Sequence, residues 1–177
     1  LIEVTWTVVP IIILVVIAFP SFKLLYYMDK TNDPEMTLKV IGHQWYWSYE
    51  YPDHGEFAFD SILIEEADLQ PGQERLLHTD NEVVLPVDTN IRILVTADDV
   101  LHNWALPSFG IKMDAVPGQL NETWVRITKT GLFYGMCSEL CGVRHAFMPI
   151  TVRAVSKERF AKWVENAKSE FASKDIR

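Results

Sequence analysis

Nineteen consecutive residues between Glu3 and Lys23 carry no charge. At about 1.5 Å rise per residue, a helix through them is about 28 Å long, close to the hydrocarbon thickness of a bilayer. A soluble core seldom provides a helix of that length with no polar side. A cleavable secretory signal fits poorly, because no basic residue precedes the run and no small-residue cleavage site follows Phe19-Pro20. The expectation is one transmembrane helix within residues 1–30. Pro10 and Pro20 fall inside it, which membrane helices tolerate when neighbouring protein satisfies the freed carbonyls.

The rest of the 177 residues suffices for one ordinary core. A polar, breaker-containing stretch is expected to form a linker over 31–40, followed by a β domain over 41–155. LKVIGHQWYWSYEY (38–51) is dense in aromatic and β-branched residues, and 91–96 alternates Ile91, Ile93 and Val95 against Arg92, Leu94 and Thr96. TWVRIT (123–128), GLFYGM (131–136) and ITVRAV (150–155) follow the same habit, with turn signals such as Pro71-Gly72, Asp88-Thr89-Asn90 and Pro117-Gly118 between them. Short strands at such spacing predict a Greek-key sandwich or barrel. The period then changes. Ser156 can cap a helix whose Phe160, Trp163, Val164, Ala167 and Phe171 recur at three and four residues, so an amphipathic helix is expected over 156–177.

Acids outnumber bases, 24 to 16, and eight acids with no Lys or Arg lie between Glu50 and Glu74. That balance argues against nucleic acid and leaves two readings open: a solvated face or a docking surface for a basic partner.

The chemistry is concentrated in Cys137-Ser138-Glu139-Leu140-Cys141, with His145 and Met148 close behind. Two thiolates, an imidazole and a thioether are the soft and borderline ligands that suit copper, whereas the spacing matches zinc sites poorly. A disulfide between the two cysteines, or core roles for Met148 and Phe147, are the plainer readings of each residue taken alone. His102 directly follows the strand at 91–96 and could join the later loop across a sandwich. A mononuclear blue site uses one cysteine, so a second thiolate points toward a bridged pair of coppers.

GHQWYWSYEY (42–51), DVLHNWALPSFGIKMDAVPGQLN (99–121) and YGMCSELCGVRHAFMPI (134–150), together with the apolar helix, resemble subunit II of cytochrome c oxidase over nearly the whole chain. The resemblance implies an all-β, cupredoxin-like Greek-key sandwich with an N-terminal membrane helix and a C-terminal helix. It implies two coppers held by His102, Cys137, the Glu139 backbone carbonyl, Cys141, His145 and Met148, and a magnesium ion reached by the Glu139 side chain at the subunit I interface. Electrons would enter from cytochrome c at Trp45, with Glu50, Asp53, Glu56, Asp80, Asp98 and Asp99 as the docking acids. Glu3 would lie near a proton entrance. Members of the family usually have two membrane helices, and this chain starts at what resembles the second. The implied partners are cytochrome c, the haem-bearing subunit I, other oxidase subunits and the lipid bilayer. The implied location is the mitochondrial inner membrane or a bacterial plasma membrane, with the copper domain outside even though Lys23 and Lys30 follow the helix. A quinol oxidase subunit would lack the copper ligands, and a copper-delivery protein would lack the aromatic run and the Met148 partner.

Overall fold

The computed structural model describes residues 1–29, 31 and 33–171. Helix α1 (Ile2–Met28) takes in the uncharged run and both prolines, buries none of its side chains, and is long and apolar enough to cross a membrane. Trp124 donates its indole N–H to the Tyr27 carbonyl at 3.4 Å, which ties the end of the helix to the domain. Lys30 lies outside the described residues.

Two five-stranded sheets follow. The first has the order β3 (Phe57–Ser61), β2 (Tyr46–Tyr51), β1 (Met36–His43), β5 (Asn90–Ala97), β8 (Asn121–Arg126). The second has the order β4 (Val83–Pro86), β10 (Pro149–Val155), β9 (Gly131–Cys137), β6 (His102–Leu106), β7 (Ile111–Ala115). This is the expected cupredoxin-like sandwich. The β1–β5 and β4–β10 pairs are parallel and the remaining pairs antiparallel.

Strand alternation builds the core. In β5, Ile91, Ile93, Val95 and Ala97 point inward while their neighbours stay half-buried, as the sequence pattern predicts. Trp47, Tyr49 and Tyr51 line the inner side of β2 and meet Trp104, Leu106, Ile150 and Val152 from the other sheet. Trp104 donates to the Tyr49 hydroxyl at 3.2 Å, so both large side chains are buried with their polar atoms satisfied. Strand β1 starts at Met36, inside the expected linker, because Met36, Leu38 and Val40 are fully buried and pair with β5.

The run at 38–51 forms two strands, turning at Gln44-Trp45. Helix α2 (Lys157–Phe171) covers the β2–β3 end of the sandwich with Phe160, Val164, Ala167 and Phe171. Its Ser156 cap accepts the Arg159 N–H, as expected. Residues 172–177 of the expected helix lie outside the described residues.

Candidate metal centre

Three chain segments reach the same end of the second sheet. Strand β6 begins with His102 and β9 ends with Cys137, and their antiparallel pairing, Trp104 opposite Cys137, brings those ends together. Strand β10 begins just after Met148, whose carbonyl accepts the Cys137 N–H at 3.3 Å. The loop 138–147 closes the gap between β9 and β10. His102 therefore sits on a strand, the first residue of β6, rather than in a loop, and it is completely buried.

The donor atoms gather around two sulfurs. The nitrogen of His102 and the sulfurs of Cys137 and Cys141 all lie within 4.8 Å of one another. Around Cys137 Sγ stand His102 Nδ1 at 3.9 Å and the Glu139 carbonyl at 3.4 Å. Around Cys141 Sγ stand His145 Nδ1 and Met148 Sδ, each at 3.5 Å. The two sulfurs are 3.9 Å apart and free, too far for a bond of about 2.05 Å. All six groups singled out from the sequence thus converge. The Glu139 side chain does not join them; that residue is exposed.

The electrostatics fit a cation. Burial disfavours the Cys137 thiolate, but hydrogen bonds with His102 and with the backbone at Asn103 and Glu139 outweigh it and bring the thiol down to about 7. Burial and the charge of Cys137 push Cys141 up. His102 is likewise opposed by burial, yet its partners Cys137 and Asp99 raise it overall. Asp99 Oδ1 holds His102 Nε2 at 2.9 Å, so the ring keeps its proton on Nε2 and turns Nδ1 toward the sulfurs. The same carboxylate accepts the backbone N–H groups of Val100 at 2.6 Å and Gln44 at 2.7 Å. Burial works against its charge, but these bonds hold it below the ordinary carboxylate value.

The aromatic run of the other sheet closes over this end. Trp45 Nε1 and Gln44 Nε2 both donate to the Cys141 carbonyl, at 3.2 and 2.8 Å. Trp47 Nε1 donates to the Met148 carbonyl at 3.3 Å, and its ring meets His102 edge-on. Trp45 is half-buried whereas Trp47 and Trp104 are core residues. Two glycines permit the approach: a Cβ on Gly42 would come within 2.8 Å of the His102 ring, and one on Gly142, at φ +121°, within 3.0 Å of the Trp45 ring. Gly42, Gly142 and Gln44 were not visible in the sequence, since each depends on contacts between sheets; Asp99 reaches His102 only three residues on, but was expected solely as a docking acid.

The acids separate into groups. Asp98 and Asp99 lie beside the Gln44-Trp45 turn, and Asp60, absent from the expected set, joins them around Tyr46. Asp80 accepts the Ile62 N–H just past the end of β3. Glu50 is paired with Lys39 near the far end of β2. Asp53 accepts the Thr37 N–H at the opposite end of β1, and Glu56 belongs to the β2–β3 connection at that end. Glu3 is exposed in the first turn of α1.

An apolar helix attached to a cupredoxin-like sandwich, with two free thiols, two imidazoles and a thioether gathered at one end, defines a membrane-anchored domain with a candidate metal centre. A family model described as "Cytochrome C oxidase subunit II, periplasmic domain" matches residues 36–155, and one for the transmembrane domain of the same subunit matches residues 1–24. The chain belongs to the cytochrome c oxidase subunit II family, whose periplasmic domain implies a copper centre.

The chain is 55% identical over 164 residues to a probable cytochrome c oxidase subunit 2 of Rickettsia bellii, covering 93% of this chain and 61% of that one. It spans about half to six-tenths of the length of the curated relatives it matches. The periplasmic domain of subunit II of cytochrome oxidase (CoxB) of Bradyrhizobium japonicum superposes with a TM-score of 0.75 at 56% identity, covering 80% of this chain and 99% of that one. A subunit II solved as a mixed disulfide with a thioredoxin-like protein matches with a TM-score of 0.69 at 54% identity, over 80% and 96% of the two chains.

Proposed function

We propose that this chain is the electron-accepting subunit of an oxidase: it receives electrons from reduced cytochrome c at a dinuclear copper centre and delivers them to the haem-bearing subunit I, where oxygen is reduced to water with coupled proton pumping. The observation that carries this reading is the convergence of six donor groups on two sulfurs 3.9 Å apart. His102, Cys137, Cys141, His145, Met148 and the Glu139 carbonyl would hold two coppers. Such a pair, when bound, supplies a one-electron centre that changes geometry little between its states.

The protein's own part is to hold the donors in place. Asp99 keeps the His102 proton on Nε2, the buried strands fix Cys137, and the Trp45 and Gln44 donors fix the Cys141 carbonyl. Trp45 is the proposed point where electrons enter, because its indole is half-buried and one hydrogen bond from a ligand residue. The Glu139 side chain, exposed beside Cys137, is the proposed contact to magnesium at the subunit I interface, and Glu3 at the far end of α1 the proposed neighbour of a proton entrance. The mixed disulfide of a relative supports a thioredoxin-like partner that reacts with a cysteine of this chain. The relatives are bacterial, which favours a plasma membrane with the domain in the periplasm over the mitochondrial inner membrane.

Metal analysis with electron spin resonance tests the reading. The purified, copper-loaded chain should hold two coppers with a mixed-valence spectrum that Cys137→Ser abolishes. One zinc and no copper would end the proposal.

A further inference from the structure

The outer side of the β1–β2 hairpin carries a polar chain that the metal centre leaves unused. Alternation along β1 turns Gly42 inward against His102 and His43 outward, half-buried. His43 stacks on Tyr46, ring centroids 4.5 Å apart and 6° from parallel. Its Nε2 stands 3.0 Å from Ser48 Oγ, which in turn stands 2.7 Å from Asp60 Oδ1.

Proton counting fixes the directions. An ionised carboxylate only accepts, so the Ser48 hydroxyl donates to Asp60 and its oxygen accepts from His43 Nε2–H. Neutral His43 therefore carries its proton on Nε2, and its Nδ1 lone pair faces Asp98 Oδ2 at 3.9 Å. Asp98 is otherwise in solvent, its side chain 77% exposed.

Resting on the docking reading above, we propose that His43 is a proton-sensitive positioning residue of the cytochrome c docking face: protonation at Nδ1 draws Asp98 into an ion pair and weakens the face toward a basic partner as pH falls. The groups that bear on His43 are Asp98 and Asp99 from the β5–β6 turn, Asp60 from β3, Tyr46 stacked on it, and His102 acting by charge from the inner side. Burial holds the imidazole below its ordinary value despite the three acids. The ring is thus neutral at pH 7 and gains its charge only on acidification. That charge cancels one of the three carboxylates around Tyr46.

Two measurements on the full copper-loaded chain in detergent micelles decide the matter. The first follows the ring resonances of 13C-labelled histidines with pH, His43→Gln identifying the His43 signal. The His43 midpoint should lie below the ordinary imidazole value, and Asp98→Asn should lower it further by removing the nearest anion; an unmoved midpoint overturns the His43–Asp98 couple. The second measures association of a basic cytochrome c at low ionic strength near about pH 7.5 and about pH 5.5, the range over which imidazoles titrate. Glutamine keeps an N–H for Ser48 and does not titrate. Wild type should lose about two- to fivefold more affinity on acidification than His43→Gln, the effect of one charge roughly 8 Å from a partner cation in high dielectric. Equal losses overturn the proposal. Absence of binding at every pH overturns the docking reading and the binding half of this inference, while the resonance measurement still decides the proton site.

Discussion

The metal loop and the acidic strip are both dense runs of like chemistry in the sequence, yet the fold treats them in opposite ways. Residues 137–148 stay together: their donors face one another because the loop spans only the gap between two adjacent strands. The acids of 50–80 disperse, Glu50 to a salt bridge with Lys39, Asp53 to the Thr37 backbone, and Asp80 to the Ile62 backbone. A short loop between paired strands keeps its members within reach of each other, whereas a run that follows strands and turns is spread along the sandwich at about 3.3 Å per residue. Closeness in sequence is therefore good evidence for a ligand set and poor evidence for a patch.

The sharpest way to break this comparison is at Trp45, where the two regions meet. Trp45→Ala should slow electron transfer within a preformed cytochrome c complex by orders of magnitude while leaving association and its salt dependence almost unchanged, because no charge is removed. Since the indole also bonds the Cys141 carbonyl, the copper spectrum must be recorded alongside. Trp45→Phe keeps a ring and loses only that bond. Rapid-mixing kinetics in which both variants transfer at the wild-type rate, with intact spectra, would remove Trp45 from the electron route.

A smaller effect is expected at Asp99, which belongs to both regions. Its carboxylate orients His102 and also stands at the acidic end of the sandwich. Asp99→Asn should weaken copper binding by roughly 10–100-fold, the usual cost of losing a carboxylate that orients a ligating histidine. Competition with a chelator reads this directly. An unchanged copper affinity together with weaker cytochrome c association would assign Asp99 to docking alone.

What the sequence made legible follows the same division. Period-two alternation at 91–96 and the three-four spacing of 160–171 identified elements whose burial is decided locally, and the cysteine loop pointed to its own candidate site. Strands β3, β4 and β6 escaped notice because they are four or five residues long and buried almost throughout, so they lack alternation, while β7 does alternate but over only five residues. His102 was legible as a candidate ligand but not as a strand residue. Gly42, Gly142 and Gln44 matter because β1 and its turn lie over the other sheet's metal end, an adjacency that no window of sequence contains. Asp60 was counted among the acids and passed over, although pairing of Ser48 with Asp60 across β2 and β3 is what carries it to Tyr46.

The smallest expected effect distinguishes acids that look equivalent in the sequence. Glu50 is five residues along β2 from Trp45, about 16 Å at strand rise, and Asp53 lies farther still, at the Thr37 end of β1. Salt screens exposed charges over about 10 Å at 0.1 M, so acids at the turn should be felt by a docked partner and those beyond it should not. Asp98→Asn is expected to weaken association of a basic cytochrome c by about two- to threefold at that ionic strength, as befits one exposed charge in high dielectric. Asp53→Asn should change it by less than the scatter of the measurement, and Glu50→Gln should fall between, because it also releases the Lys39 charge. Titrations of the three variants at matched salt give the ordering. A loss at Asp53 equal to that at Asp98 would mean that the partner spans the length of the first sheet, and that the acids dispersed by the fold act as one surface after all.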